Sequence, residues 1–409
     1  MKVAVVAEYY PRAADPVLGV WAHRQALAAR NAGADVRVVV LHRPVPPKAA
    51  LRDRDLGAIR DRLLQPRRTL LNGLPVEYVP FVAPPRNRTY GSWGAWAAPS
   101  LRVALHRLRR RFPFDLVHAH YAVPAGDAVR RVAPDAPLVV SVHGGDVLWT
   151  VHRSGAAREN VERTLGHARL VLANSRGTAD LCRRHGAREV RVVHLGTDLD
   201  EQAPTLAEAR ARRASDLAGA GHGGVNSAPT LVTVGHLVAR KRNGDVIRAL
   251  AALRDRHPDL RYVIVGDGPE REALGELAAS LGVAGRVELR GAMPNDEAVR
   301  VARSADLFVL PSVDEAFGVA YIEAMAGGVP AIGSMGEAGP EEIVREGGGL
   351  RLVPPADVPA LAQEISALIS DDRERRELGQ QARATVERAF TWERCGEATV
   401  AAYREALAR

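Results

Sequence analysis

Short apolar runs recur along the first half of the chain, and they are continuous rather than alternating. Residues 3–7 (VAVVA), 35–41 (DVRVVVL), 76–82, 115–120 (DLVHAH), 138–143 (LVVSVH), 170–174 (LVLAN) and 190–195 (VRVVHL) predict strands. Continuous runs of this length suit strands buried on both faces. Helical stretches separate them, among them 20–32, closed by Gly33, and the strongly basic 101–111. Strands alternating with helices predict a parallel sheet covered on both sides.

The pattern pauses at 215–229 (SDLAGAGHGGVNSAP), whose Gly, Ala and Ser content reads as a linker. It restarts with strands at 231–235, 261–266, 287–291, 306–311 and 330–333, separated by helices such as 245–256 and 269–281. Residues 390–409 read as a final helix outside the strand pattern. The expected fold class is α/β, with two tandem Rossmann-like, doubly wound domains facing across a cleft. Their expected limits are an N-terminal domain at 1–214, a linker at 215–229, a C-terminal domain at 230–389 and a terminal helix at 390–409. In such folds ligands bind at the carboxyl ends of the strands, so function is expected in the loops that follow them.

Composition narrows the classes further. At 409 residues, 46% hydrophobic and 25% charged, the chain reads as a globular protein of about two domains. No run approaches the ~20 apolar residues of a membrane helix, and Met1 leads directly into a strand rather than a signal peptide. Cys182 and Cys395 stand alone, which argues against a disulfide framework or a zinc site and for the cytoplasm. Charge is uneven: up to Gly196 there are 31 Lys and Arg against 15 Asp and Glu (+16), and beyond it 25 against 33 (−8). The first half is therefore expected to meet something anionic. Segment 101–112 interleaves Arg102, Arg107, Arg109, Arg110 and Arg111 with apolar residues. This fits peripheral docking on an anionic membrane, and equally a solvated helix face. A nucleic-acid binder is the rival that the charge raises, but no recognised module supports it, so no nucleic acid is expected as a partner.

Candidate chemistry clusters at strand ends. Only Lys2, Lys48 and Lys241 are lysines, against 53 arginines. Lys241, in VGHLVARKRN, occupies a strand-to-helix loop between Arg240 and Arg242, where a compact ammonium suits a diphosphate. Glu315 and Glu323 bracket a predicted helix start near Gly318. The N–H groups of Phe317, Gly318 and Val319 would form an anion site there, and Glu323 is placed to accept from a ribose hydroxyl. His143 ends a strand and is followed by Gly144, Gly145 and Asp146, a setting for chemistry or for polar substrate contacts. His118 and His120, two apart on one strand, point to one face. Their spacing supports no zinc site, and no metal is expected. The segment Gly266-Asp267-Gly268-Pro269 is half of a dinucleotide fingerprint; turn glycines and a proline at the first helical position account for it, which argues against a nicotinamide enzyme. The ordinary alternatives are a solvated basic loop for Lys241, surface helix positions for the glutamates and a core position for His143.

Glu315-x7-Glu323, within EAFGVAYIEAMAGGVPAI, resembles the EX7E signature of the family 4 retaining glycosyltransferases with the GT-B fold. VGHLVARK, YVIVGDGPE, VELRGAM, DLFVLPS and FTW fall in that family's order. The segments YYPRAADPVLGVWAHRQALAARNAGADVRVV, DLVHAHYAVPAG and VVSVHGGDV are similar to its bacterial cell-surface polysaccharide members of the teichuronic-acid type. The resemblance spans nearly the whole chain. It implies transfer, with retention, of a sugar from a nucleoside-diphosphate sugar to an acceptor hydroxyl, with no cofactor, and with no metal if Lys241 and the helix start supply the charge. Lys241 would neutralise the diphosphate, Glu323 hold the ribose, and Glu315 with the neighbouring N–H groups contact sugar and phosphate. The backbone near Arg290 would line the base pocket, Gly19 would lie over the diphosphate, and His143 would approach the reacting carbon. His118, His120, Asp146 and Ser175 are expected on the acceptor side, and the basic half admits a lipid-linked or anionic acceptor. One departure stands out: His236 follows Gly235 where the family usually has arginine. Arg240 and Arg242 are the substitutes the sequence offers. Rival readings are a GT-B protein that binds nucleotide sugar without transferring it, and a GT-B epimerase or phosphorylase. The phosphorylase would need a pyridoxal-phosphate lysine, and Lys241 is the only lysine of the C-terminal domain.

Overall fold

The computed structural model describes residues 1–45, 52, 54–199 and 228–409. Lys48 and the expected linker, apart from Ala228 and Pro229, lie outside the described residues. The chain divides into two units, Met1–Leu195 with Trp392–Arg409, and Gly196–Thr391. The first unit thus ends at Leu195 rather than at 214, and it includes the final helix Trp392–Ala408.

The first unit is built on strands β1 (Lys2–Ala7), β2 (Asp35–His42), β3 (Arg68–Leu71), β4 (Leu74–Pro80), β5 (Leu116–His120), β6 (Leu138–Val142), β7 (Leu170–Ala173) and β8 (Val190–Val192). They form one sheet in the order β3-β4-β2-β1-β5-β6-β7-β8. Every pair is parallel except β3 with β4. Alternate residues of β1 enter opposite cores, which is why its run is continuous. Val3, Val5 and Ala7 pack with Ala22 and Ala26 of helix Val20–Asn31 and with Tyr403 of the final helix. Ala4 and Val6 pack with Leu101 and Leu105 of helix Trp93–Arg111 on the other side. The final helix sits close on Val20–Asn31: a Cβ on Gly396 would lie 2.3 Å from the Ala28 carbonyl oxygen.

Strands β9 (Thr230–Val234), β10 (Arg261–Val265), β11 (Val287–Gly291), β12 (Leu307–Leu310), β13 (Ala331–Ser334) and β14 (Leu350–Val353) make the second sheet. It is parallel throughout, in the order β11-β10-β9-β12-β13-β14, the Rossmann arrangement. Leu231, Ile264, Val309 and Ile332 pack on one face against Val246, Leu250, Leu274 and Ile365. In each sheet the strand order reverses beside the first strand, between β1 and β5 and between β9 and β12. Loops leaving those four strands form the crevices where such folds take ligands.

Several expectations shift. Helix Trp93–Arg111 begins well before Leu101 and carries Pro99 inside it. The second unit's helices run Asn243–Ala252 and Arg271–Ser280. Pro269 therefore precedes the latter instead of opening it. Among the described residues no helix is long and apolar enough to cross a membrane, and Cys182 and Cys395 are both buried thiols.

Candidate active site

The loops leaving β9 and β12 meet at the second unit's switch point. Lys241 Nζ donates to Glu315 Oε2 at 2.6 Å, and Ser312 Oγ donates to the same oxygen at 3.0 Å. Arg240 Nη1 lies 3.8 Å from it. The two loops are joined through the backbone, where Val313 N–H donates to the Arg240 carbonyl at 2.9 Å. Burial by itself would raise the pKa of Glu315. The charge and hydrogen bond of Lys241, then Arg240 and Ser312, outweigh it and hold the carboxyl below its ordinary value. Glu315 is thus ionised, and two cations face one anion. Arg242 is occupied elsewhere: its Nε donates to Asp245 Oδ2 at 2.6 Å, at the start of helix Asn243–Ala252. Of the two arginines offered as substitutes, Arg240 alone joins this cluster.

The backbone of Glu315 is gripped by the start of the helix after β13, Ala338–Glu346, and the residue before it. Glu337 Oε2 accepts the Glu315 N–H at 2.7 Å, and Gly339 N–H donates to the Glu315 carbonyl at 2.9 Å. A Cβ on Gly339 would come within 2.1 Å of the Phe317 carbonyl oxygen. Burial raises the pKa of Glu337; the N–H groups of Glu315 and Asp314 pull it back, and the charges of Asp314 and Glu315 push it up again. Gly318 adopts φ 79°, ψ 67°, where a Cβ would strike the Tyr321 ring at 2.5 Å. The following helix, Val319–Met325, has only seven residues, so Phe317 and Gly318 precede it rather than open it, and little helix dipole is available. Glu323 stands half-buried on this helix, and its carbonyl accepts from Arg303 Nε at 3.0 Å.

Gly266-Asp267-Gly268 does more than turn the chain. A Cβ on Gly266 would lie 1.9 Å from the Gly235 carbonyl oxygen, and one on Gly268 2.4 Å from that of Leu237. The glycines let this loop lie backbone to backbone on the loop after β9. His236 Nδ1 pairs with the Asp267 carbonyl at 2.6 Å. Since a carbonyl only accepts, the proton sits on Nδ1. Arg290 is exposed and paired with Glu288 at 2.8 Å. The β10–β11 register skips it, with Ile264 opposite Leu289 and Val265 opposite Gly291, so its backbone leaves the ladder in a bulge.

In the first unit, His120 Nδ1 and His143 Nε2 lie 3.0 Å apart with their rings parallel to within 1°. His143 Nδ1 is shielded from solvent and has no partner among the described residues. Burial drives the His143 pKa down to about 3, so the ring is neutral. Tyr121 lies 5.3 Å from His143 and 5.0 Å from Tyr9, ring centre to centre. Tyr121 also holds φ 74°, a costly value for a bulky residue and one that concentrates at working sites.

The other expected acceptor-side residues are interior ones. His118 is fully buried, its Nδ1 bonded to Tyr403 Oη at 2.7 Å and its Nε2 to Ser141 Oγ at 2.8 Å. Asp146 is fully buried and accepts from the N–H groups of Ala122 and Val123 at 3.0 and 3.3 Å. Burial raises its pKa to about 7. Ser175 caps helix Arg176–Arg184, accepting from Thr178 N–H at 3.2 Å. Gly19 is buried at φ 65°, and a Cβ there would lie 2.2 Å from the Tyr9 backbone. Close packing thus accounts for this glycine by itself.

Two family models match the chain. Glycosyltransferase Family 4 covers residues 18–201, and Glycosyl transferases group 1 covers residues 222–385. A Bacillus subtilis (strain 168) protein assigned to teichuronic acid biosynthesis as a glycosyltransferase is 30% identical over 342 residues, 81% of this chain and 80% of that one. The D-inositol 3-phosphate glycosyltransferase of Nocardia farcinica is 32% identical over 332 residues, 76% of this chain and 71% of that one. The chain belongs to the family 4 glycosyltransferases. Solved structures agree on its GT-B fold. Sucrose-phosphate synthase of Thermosynechococcus elongatus superposes with a TM-score of 0.78 at 21% identity, covering 100% of this chain and 99% of that one. Anabaena HepE, in complex with UDP and glucose, gives 0.73 at 20% identity, covering 99% and 100%.

The glycosyltransferase has further residues at these edges that sequence reasoning passed over. Glu8 directly follows β1, is 5% exposed, accepts from Tyr90 Oη at 3.2 Å and lies 3.7 Å from Arg86 Nη2. Arg86 in turn lies over the Tyr90 ring at 4.2 Å. The rule that flagged His143, a polar residue ending a buried strand, applies equally to Glu8 and to Ser312. Glu337 carried no such signal.

Proposed function

We propose that this glycosyltransferase moves a sugar from a nucleoside-diphosphate donor to an acceptor hydroxyl, with retention at the anomeric carbon and without a metal ion. The carrying observation is the Lys241–Glu315 pair at 2.6 Å, on the loops that leave the two strands flanking the second unit's switch point. HepE structures hold UDP and UDP-glucose, and a Mycolicibacterium smegmatis relative is named as GDP-mannose-dependent; both support a nucleotide-sugar donor here.

In the reaction the bond between the anomeric carbon and the diphosphate oxygen breaks, and its electron pair leaves with the nucleoside diphosphate. Lys241 and Arg240 meet that growing negative charge, and preorganised cations in a dry site are worth most at this moment. Glu315 turns its carboxylate to the sugar hydroxyls. Glu323 holds the ribose, and the backbone of the Arg290 bulge lies along the base. The acceptor oxygen attacks from the face the diphosphate leaves, and its proton passes to the departing phosphate oxygen. His143, backed by His120, contacts the donor sugar.

A nucleotide-sugar binder without transfer is the second reading, favoured by His236 in place of arginine. The test is a panel of UDP-, GDP-, ADP- and dTDP-sugars with a chelator, followed by thermal shift and by slow release of nucleoside diphosphate. One donor that both stabilises the protein and is slowly hydrolysed fits transfer. Stabilisation with no turnover fits the binder, and neither effect from any donor contradicts both.

A further inference from the structure

Helix Trp93–Arg111 carries the basic segment, and its faces divide differently from the sequence expectation. The apolar side of 101–112 turns inwards: Leu101, Leu105 and Phe112 are buried in the first unit's core, with Leu108 packed against it. That side is spent on folding.

The outer side has its own pattern. Trp96 is 52% exposed and Val103 48%. At 3.6 residues per turn, Trp96, Val103, Arg107 and Arg110 fall within about 60° of one another. The helix holds five arginines and no aspartate or glutamate. Among the described residues, Arg102, Arg107, Arg110 and Arg111 take part in no ion pair. Arg109 alone leans on a ring, that of Phe114 at 5.1 Å. Among the described residues, Arg107 and Arg110 therefore have no ion-pair partner on this ridge.

A single exposed tryptophan is ordinary. A tryptophan and a valine in line with unpaired arginines on one rigid helix face is a more specific pattern. Indole rings settle at the level of lipid headgroups, and guanidinium groups bind the phosphates around them. We propose that this outer face docks on a bilayer rich in anionic lipid. Nucleic acid would answer the charge but not the exposed indole and valine on the same face, which need an apolar layer to enter. The inference goes beyond glycosyl transfer and stands without it.

The test is co-sedimentation of the full chain with phosphatidylcholine vesicles, with and without phosphatidylglycerol, at low and high salt. Two variants accompany it: Arg107→Gln/Arg110→Gln and Trp96→Ser/Val103→Ser. All four side chains are exposed, and matching melting temperatures check that both variants fold. We expect pelleting only with phosphatidylglycerol, weakened by salt. The arginine variant should lower partitioning about thirtyfold. The Trp96→Ser/Val103→Ser variant should lower it several-fold and lose the blue shift of emission on binding. No pelleting by the wild type, or equal pelleting by both variants, overturns the proposal. So does binding that ignores Trp96 and Val103 and is matched by duplex DNA at the same salt, since the face would then be a general polyanion surface.

Discussion

The carboxylate of Glu337 accepts the backbone N–H of Glu315 at 2.7 Å, while Gly339 N–H holds the Glu315 carbonyl at 2.9 Å. Both backbone groups of the proposed sugar-contacting glutamate are therefore fixed by the start of one neighbouring helix, Ala338–Glu346, and the residue before it. Glu337→Ala should lower kcat about tenfold or more with little change in donor KM, because the loop is mispositioned rather than the diphosphate site lost. Glu337→Gln keeps an acceptor oxygen and should recover most of the rate. Steady-state kinetics of the two variants side by side make the check, and equal damage in both would point to charge rather than positioning.

Gly339→Ala tests the same clamp sterically. Its methyl group would meet the Phe317 carbonyl at 2.1 Å, against backbone that cannot swing aside. The expected cost is about 1–3 kcal/mol of stability, read by urea denaturation.

Gly19→Ala combines two penalties, a left-handed φ of 65° and a 2.2 Å approach to the Tyr9 backbone. We expect about 2–4 kcal/mol lost in the same assay. A stable Gly19→Ala protein with weakened donor binding would instead assign this glycine to the donor diphosphate, as the family resemblance implies.

Acid should unfold the first unit through its histidines. Burial holds His118 and His143 neutral down to about 3, and lowers His120 as well, while unfolded histidine titrates near 6.5. The stability this supplies is complete above pH 6.5 and is lost as pH falls below it. Asp146 acts the other way. Its pKa is raised from 3.8 to about 7, so its contribution falls as pH rises between those values. Between pH 4 and 6.5 these histidines, joined by His23 and His167, whose pKa burial also lowers, oppose one aspartate, so unfolding should take up protons net. Asp146→Asn should steepen that dependence by about one proton, measured by denaturant titrations across pH.

Legibility followed burial. The strands of both sheets could be read because residues such as Val3 to Ala7 are buried on alternate faces, leaving no polar interruption. β14 was missed because Arg351 breaks its short run. β3 was missed although Asn72-Gly73, at φ 48° and 76°, is a strong hairpin signal. Gly94 and Pro99 hid the first two turns of helix Trp93–Arg111, where tertiary packing overrides helix propensity. At the sheet edges, the strand-end rule picked out Lys241 and Glu315, which pair in the second unit, and His143, which meets His120 in the first. It also drew in His118, which Tyr403, 285 residues away, closes into the core. Glu337 was out of reach because it acts on a backbone N–H 22 residues away, which leaves no pattern in side-chain chemistry.

The central claim is that Lys241 serves the donor diphosphate and Glu315 the sugar. Calorimetric titration of UDP and GDP into wild type, Lys241→Ala and Glu315→Gln, with a chelator present, tests it most directly. Lys241→Ala should weaken the preferred nucleotide at least about tenfold, the value of one charge-assisted hydrogen bond. Glu315→Gln should bind it as tightly as wild type or tighter, since a negative charge beside the diphosphate is removed, while turnover of the donor is lost. A Lys241→Ala protein that binds nucleotide as well as wild type would contradict the account.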